Sequence, residues 1–267
     1  MIDYEKKLNI ILFANDPPLG TIPKSIVSVH DRPLILHLLE TFKLLEDYFE
    51  IQIYLLVFYH EIENVEFTLD LDQENLTFVP VHRQDHDATI LYFLLSQFLK
   101  GRCCELYLLI HLTFPFLDFS ILHDFISSYQ GRPLTMVKTM SSVCSHSNVL
   151  VRNEKCVFTN TPSSYEFMFV SLMDSVIFKQ IYSLPFPWNV PYYHCLHSTV
   201  YHFPLYLKNK YGESFTHKED LVLLENIYLR KQIYKLSFSL RKLEERLQSI
   251  ESMVVDKRKN VNYSSST

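Results

Sequence analysis

Three histidines, His194, His197 and His202, fall within nine residues, a density that would suit a metal ion. Their spacing, His-x-x-His and then four residues to the third His, matches no common site, and neither Asp nor Glu lies between them. The stretch reads as a loop of unligated histidines. Cys144, Ser145 and His146 are adjacent in the chain. A nucleophile and its base usually meet from separate segments, so no Cys–His catalyst is expected. The five cysteines, Cys103, Cys104, Cys144, Cys156 and Cys195, are odd in number and include no Cys-x-x-Cys pair. That argues against a disulfide framework and a zinc ribbon, and leaves reduced, mostly buried thiols. No metal site is expected from these residues.

Charge narrows the partners. The 267 residues carry 25 Lys and Arg against 30 Asp and Glu, and no basic block stands out. A phosphate-backbone footprint is missing, so no nucleic acid is expected. The start of the chain shows no secretory signal. Apolar runs such as Ile51–Tyr59 fall well short of the ~20 residues that cross a bilayer, so no membrane span is expected either. The expectation is a cytosolic (cytoplasmic) protein, with Asn75-Leu76-Thr77 a chance match to a glycosylation acceptor.

The elements that must position any site alternate. Leu8–Phe13 is an apolar run of strand length, followed by the breaker cluster Ala14-Asn15-Asp16-Pro17-Pro18-Leu19-Gly20. Ser28 to Phe49 carries Leu34, Leu38, Leu39, Phe42 and Leu45 at helical spacing, with Pro33 tolerated in the first turn. Ile51–Tyr59 reads as a second buried strand. The order repeats, with strands at Leu76–Val81, Leu106–Ile110 and Leu134–Lys138 and helices at Asp87–Leu99 and Phe119–Tyr129. Such alternation predicts an α/β fold, a mainly parallel sheet with helices on both faces, whose ligands sit at the carboxyl ends of the strands. Leu150–Arg152 and Cys156–Thr159, flanking Asn153-Glu154-Lys155, predict a small β-arm over about 139–162, suited to a dimer contact. Tyr201–Leu207 is a candidate last strand.

The end of the chain has a different period. Leu229, Ile233, Leu236, Leu240, Leu243, Leu247, Ile250 and Val254 step by alternating 4 and 3 residues, a heptad stripe. It predicts either a coiled coil, with itself or with a partner, or an amphipathic helix folded onto its own domain. The expected organisation is therefore a domain over 1–228, a heptad helix over 229–255 and a disordered tail over 256–267.

The stretch NIILFANDPPLGTIPKSIVSVHDRPLILHLLETF resembles the methylerythritol-phosphate and ribitol-phosphate cytidylyltransferase family, in which a strand, a glycine-bearing loop and Pro-Lys precede a helix. Pro23-Lys24 and Val29-His30-Asp31-Arg32-Pro33-Leu34 carry the likeness. Arg83-Gln84-Asp85-His86-Asp87-Ala88-Thr89-Ile90-Leu91 echoes the family's Arg-x-x-Ser-x-x-Asn-Gly-Leu, and Ile110-His111-Leu112-Thr113-Phe114-Pro115-Phe116 echoes its strand ending in His-Asp-Ala-x-Arg-Pro-Phe. Thr161-Pro162-Ser163 and Phe215 through Glu225 follow in the family's order.

The resemblance implies a Rossmann-like nucleotidyltransferase fold and transfer of CMP from CTP to a polyol phosphate, ribitol 5-phosphate or methylerythritol 4-phosphate, releasing pyrophosphate. It implies Mg²⁺ if the protein is active. By position it makes Lys24 the catalytic and phosphate-binding cation, Gly20 and Arg83 nucleotide contacts, and Thr139 and Ser141 polyol-phosphate hydroxyls. Each also has a plainer reading: Lys24 as a solvated loop lysine, Arg83 as a charge at a helix start. Several family parts are replaced. The loop keeps one glycine and gains Pro17 and Pro18, which lack N–H donors. The family's metal-binding Asp corresponds to Leu112 and the neighbouring Arg to Phe114. Loss of several groups that act as a unit leaves little catalysis, so weak or lost transfer is expected. The alternative is a non-catalytic interaction protein that forms a homodimer or binds a coiled-coil partner; binding without turnover stands between the two.

Overall fold

Unbroken apolar runs of strand length become the centre of a sheet. The computed structural model describes residues 7–14, 24–69, 75–82, 106–112, 114–144, 149–158, 163–177 and 199–202, and most of 225–247. In chain order the elements are β1 (Lys7–Phe13), β2 (Ser28–Val29), β3 (Arg32–Pro33), α1 (Leu34–Leu45), β4 (Glu50–Phe58), α2 (Ile62–Leu69), β5 (Leu76–Val81), β6 (Leu106–His111), α3 (Phe119–Ser127), β7 (Leu134–Cys144), β8 (Val149–Arg152), β9 (Lys155–Phe158), β10 (Ser163–Asp174) and β11 (Thr199–His202). Two one-turn 3₁₀ helices, Lys24–Ile26 and Tyr59–Glu61, punctuate them.

Nine strands form one sheet in the order β5-β4-β1-β6-β10-β7-β11-β9-β8. The first four are mutually parallel, with Ile10 opposite Ile53 on one side and Leu108 on the other. β1 buries Leu8 through Leu12 in succession, the pattern of a strand covered on both faces. On one face Ile11, Tyr54, Leu56, Val79, Tyr107, Leu109 and Met173 form a continuous cluster. Burial of such side chains is worth roughly 1.5–3 kcal/mol each relative to exposure, which makes this parallel core the chief source of stability.

Beyond β6 the sheet is mixed. β10 runs antiparallel to both β6 and β7, so β7 is again parallel to β6. β10 is absent from the expected elements, and β7, expected to end at Lys138, continues to Cys144. A register shift between Phe167 and Ser171 breaks β10's alternation, and its partners lie far along the chain, so local pattern does not reveal it. The β-arm narrows to β8 and β9, joined at Asn153 and Glu154, both at positive φ (49° and 59°), as a two-residue hairpin turn requires.

Helix α1 begins at Leu34, not near Ser28. His30 and Asp31 adopt φ of 51° and 57° and turn the chain back as a β2–β3 hairpin. Pro33 then disfavours helical backbone in the residue before it, so the helix starts after the proline. α1 faces the core with Leu34, Leu38, Phe42 and Leu45, and the Thr41 hydroxyl lies within hydrogen-bonding distance of the Leu117 carbonyl (3.1 Å), linking α1 to the turn before α3. α3 is capped by Asp118, whose Oδ1 accepts from the Ser120 backbone N–H at 3.0 Å. The helix expected over Asp87–Leu99, the tail 256–267 and most of Tyr201–Leu207 lie outside the described residues.

The chain divides into two compact units, Met1–Leu224 and Glu225–Thr267. The described residues within 225–247 are helical. Among the described residues no helix is long and apolar enough to cross a membrane.

Candidate functional site at the carboxyl ends of the parallel strands

From β1 the chain passes through α1 to β4 on one side of the sheet, and later returns from β5 to β6 on the other side of β1. This divergence makes the carboxyl ends of β1 and β6 the switch point of the sheet, the place where open α/β sheets hold their ligands. Phe13 and His111 are directly opposite there, with rings stacked at 6.3 Å between centroids and 15° between planes. The departing backbone is pinned on both sides: the Ala14 N–H donates to the Leu56 carbonyl and the Leu112 N–H to the Phe13 carbonyl, each at 3.0 Å.

The neighbouring strand ends extend this edge. Tyr59, 63% exposed, leaves β4 and tilts against His82 at the end of β5, 5.4 Å between centroids. His60 stacks on Phe58 at 5.7 Å, and its Nε2 lies 3.7 Å from the buried Glu61 carboxylate. Imidazole and aromatic rings thus line the carboxyl edge from β5 to β6.

The residues expected at the site fall into three groups. Lys24 opens the 3₁₀ turn that packs against α1 and α2; only its backbone is described. Thr139, half-buried, and the backbone of Ser141 lie on the far half of β7. That half pairs with β10 beyond the last β10–β6 pair, Val170 with Ile110, and so projects past the carboxyl edge of β6. Gly20 and Arg83 lie outside the described residues, as do His194 and His197, Asp16 and the Asn15–Pro18 loop. Arg32, from the Val29–Leu34 match, is engaged with Glu40 of α1 at 2.6 Å, a structural pair.

Directly after β6, Leu112 and Phe114 are 1% and 0% exposed. Both side chains belong to the core. Over Phe114 lies a residue that sequence reasoning missed: Lys138 of β7, 3% exposed, with its ammonium 5.6 Å from the ring centroid, a cation–π contact. The available signal was no more than its place directly after Leu134-Thr135-Met136-Val137, inside the strand expected over Leu134–Lys138.

Neither end of the sheet offers metal chemistry among the described residues, where no three His, Cys, Asp or Glu side chains are grouped to hold an ion. The strand-end position that would supply a carboxylate is Leu112, so the described residues do not fit the Mg²⁺ that the family resemblance implies. Cys156 on β9 is buried, and desolvation pushes its thiol up to about 12, which keeps it protonated and inert near neutral pH. A cavity of about 840 Å³ opens at the opposite end of the sheet, where β7 and β11 begin. Arg132 and Lys155 there are balanced by Asp124 and Glu154, and Tyr201 Oη already donates to Asp124 at 2.5 Å. Charges of both signs make it a poor phosphate site.

No protein-family model and no curated protein matches the chain at the level of sequence. Solved structures do match. The 4-diphosphocytidyl-2C-methyl-D-erythritol synthase of Anaerococcus prevotii is 15% identical, with a TM-score of 0.57, over 85% of this chain and 99% of that one. A CMP:2-keto-3-deoxy-manno-octonic acid synthetase complexed with CTP is 11% identical, TM-score 0.59, over 84% and 99%. HddC from Yersinia pseudotuberculosis, complexed with GMP-PN, is 13% identical, TM-score 0.53, over 73% and 89%. The chain therefore has an α/β nucleotidyltransferase-like fold and resembles the cytidylyltransferases in architecture.

Proposed function

We propose that the chain is a cytidylyltransferase-like protein that holds CTP at the β1–β6 switch point and has weak or no CMP transfer to a polyol phosphate. The observation that carries this reading is the burial of Leu112 and Phe114, at 1% and 0% exposure, where the family reaction uses a carboxylate and an arginine. Phosphoryl transfer depends almost wholly on positioning and charge stabilisation, so apolar groups at these two positions remove transition-state stabilisation while leaving the surrounding fold intact. Binding is supported by other features. The switch point is formed by strand ends pinned through their backbones, Lys24 starts the turn beside α1 and α2, and Thr139 projects along β7 past the same edge. The exposed face of Tyr59 offers a surface on which a base can stack. Lys24 serves as the phosphate cation, Gly20 and Arg83 as further nucleotide contacts, and Thr139 and Ser141 as hydroxyls toward a polyol phosphate. The cytosol is the compartment where CTP and polyol phosphates would meet it.

Calorimetric titration with CTP, with and without Mg²⁺, tests the reading against a Lys24→Ala control. Micromolar binding that is lost in the control supports it. Absence of binding at millimolar CTP refutes the nucleotide pocket. Pyrophosphate release from CTP and ribitol 5-phosphate or methylerythritol 4-phosphate at ordinary transferase rates refutes the impaired chemistry. The second reading, a non-catalytic interaction protein, is favoured by the exposed apolar stripe on the C-terminal helix.

A further inference from the structure

Register places a second group of side chains on the same face of the sheet as the stacked Phe13–His111 pair. Leu172 of β10 lies opposite both Leu108 of β6 and Leu134 of β7. Three residues further along these two strands come His111 and Val137, which therefore stand at one height and on one face. Thr139 returns to that face. Tyr165 of β10 is opposite Thr139, and β11 ends at His202, opposite Val137. The Tyr165 and His202 rings meet at 5.8 Å between centroids, tilted by 55°. Thr139 and Tyr165 are half-buried and His202 is exposed. The cavity alongside β11 extends to His202, so open space reaches this ring. In the sheet order β6-β10-β7-β11, Thr139 and His202 stand ~10 Å and ~14 Å beyond β6 at the usual strand spacing.

We infer that Thr139 and His202, the latter held against the Tyr165 ring, form the subsite for the hydroxyl-bearing carbon chain of the acceptor. The acceptor then lies with its phosphate toward the β1–β6 switch point and its polyol tail toward β11. The inference rests on the nucleotide reading and adds to it a direction and a place where hydroxyls are recognised. The chemistry of the groups sets the direction. A threonine hydroxyl and a neutral imidazole each donate and accept, which matches the hydroxyls of a sugar alcohol. A phosphate is bound best by cations, and the neighbouring cation, Lys138, points to the opposite face, over Phe114. Tyr165 adds an apolar ring face for carbon-bound hydrogens. The reaction asks for the same order, because an oxygen of the acceptor's phosphate has to approach the α-phosphorus of CTP. The end remote from that phosphate is the one left to extend along the edge.

The test is titration of the full chain in saturating CTP, without Mg²⁺ so that no transfer intervenes. The two titrants are ribitol 5-phosphate and n-pentyl phosphate, which has the same phosphate on a five-carbon chain without further hydroxyls. The wild type is expected to bind ribitol 5-phosphate about tenfold more tightly, the worth of one or two net hydrogen bonds. His202→Ala and Thr139→Val are each expected to lower that preference to about twofold or less, with CTP affinity unchanged. His202→Gln, whose amide still donates and accepts, is expected to retain part of it. Equal wild-type affinities for the two phosphates overturn the inference, as does a preference that both variants retain; with CTP still bound, either result leaves the nucleotide reading standing. A chain that binds no CTP and shows no preference removes both. A chain that binds no CTP yet shows a His202-dependent preference refutes the nucleotide pocket and upholds the polyol subsite.

Discussion

The ammonium of Lys138 lies 5.6 Å from the centroid of the Phe114 ring, and both side chains are buried. The contact joins the loop after β6 to β7, across the intervening strand β10. It bears on what an arginine at Phe114, the residue that the family resemblance implies there, is expected to do.

Replacing Phe114 with Arg brings a second cation to the buried ammonium, and like charges in a desolvated site repel strongly. Phe114→Arg is expected to lower the melting temperature more than Phe114→Leu does, and to restore no CMP transfer. Phe114→Ala is expected to cost about 3–5 kcal/mol, the usual range for a buried phenylalanine. Urea unfolding of the three variants checks the order. An arginine variant as stable as the leucine variant would sink the account of this contact.

Glu154 holds φ at 59° in the β8–β9 turn, a region in which a Cβ costs about 1–2 kcal/mol and glycine pays no such cost. Part of that gain is offset by the greater freedom of glycine in the unfolded chain. Glu154→Gly is expected to raise stability by roughly 0.5–1 kcal/mol, measured as a shift in the urea midpoint. The hydrogen bond from the Val200 N–H to the Glu154 carbonyl, 2.9 Å, uses backbone only and is retained.

Cys156 gives a pH dependence with a defined sign. Its folded thiol titrates at about 12 against an ordinary 9.0 because burial disfavours the thiolate. Below pH 9 the folded and unfolded thiols are both protonated and its contribution to stability is fully present. Between pH 9 and 12 the unfolded chain releases the proton while the folded chain retains it, so stability falls as pH rises, by up to about 1.4 kcal/mol per pH unit. The stability difference between the wild type and Cys156→Ala is therefore expected to shrink from pH 8.5 to 10.5. A difference that does not vary with pH would mean that the thiol reaches solvent in the folded state.

The apolar runs of β1, β4, β5 and β6 and the hydrophobic spacing of α1 and α3 were legible in the sequence, because continuous burial and helical periodicity are written in consecutive residues. The heptad register at 229–247 was equally local. The α2 helix and the β2–β3 hairpin were not legible, and neither were two further features. β10 is built from an interrupted pattern and exists as a strand only because β6 and β7 flank it, so its place, and with it the mixed character of the sheet, depends on pairings with residues distant along the chain. Lys138 was an ordinary lysine in the sequence; only packing puts it over Phe114 in the core. The sequence by itself determined which chemical groups were missing after His111, since Leu112 and Phe114 can neither bind a metal nor carry charge. Tertiary structure decided that these two positions are core rather than cleft, because burial is a property of neighbours that strand pairing brings from far along the chain.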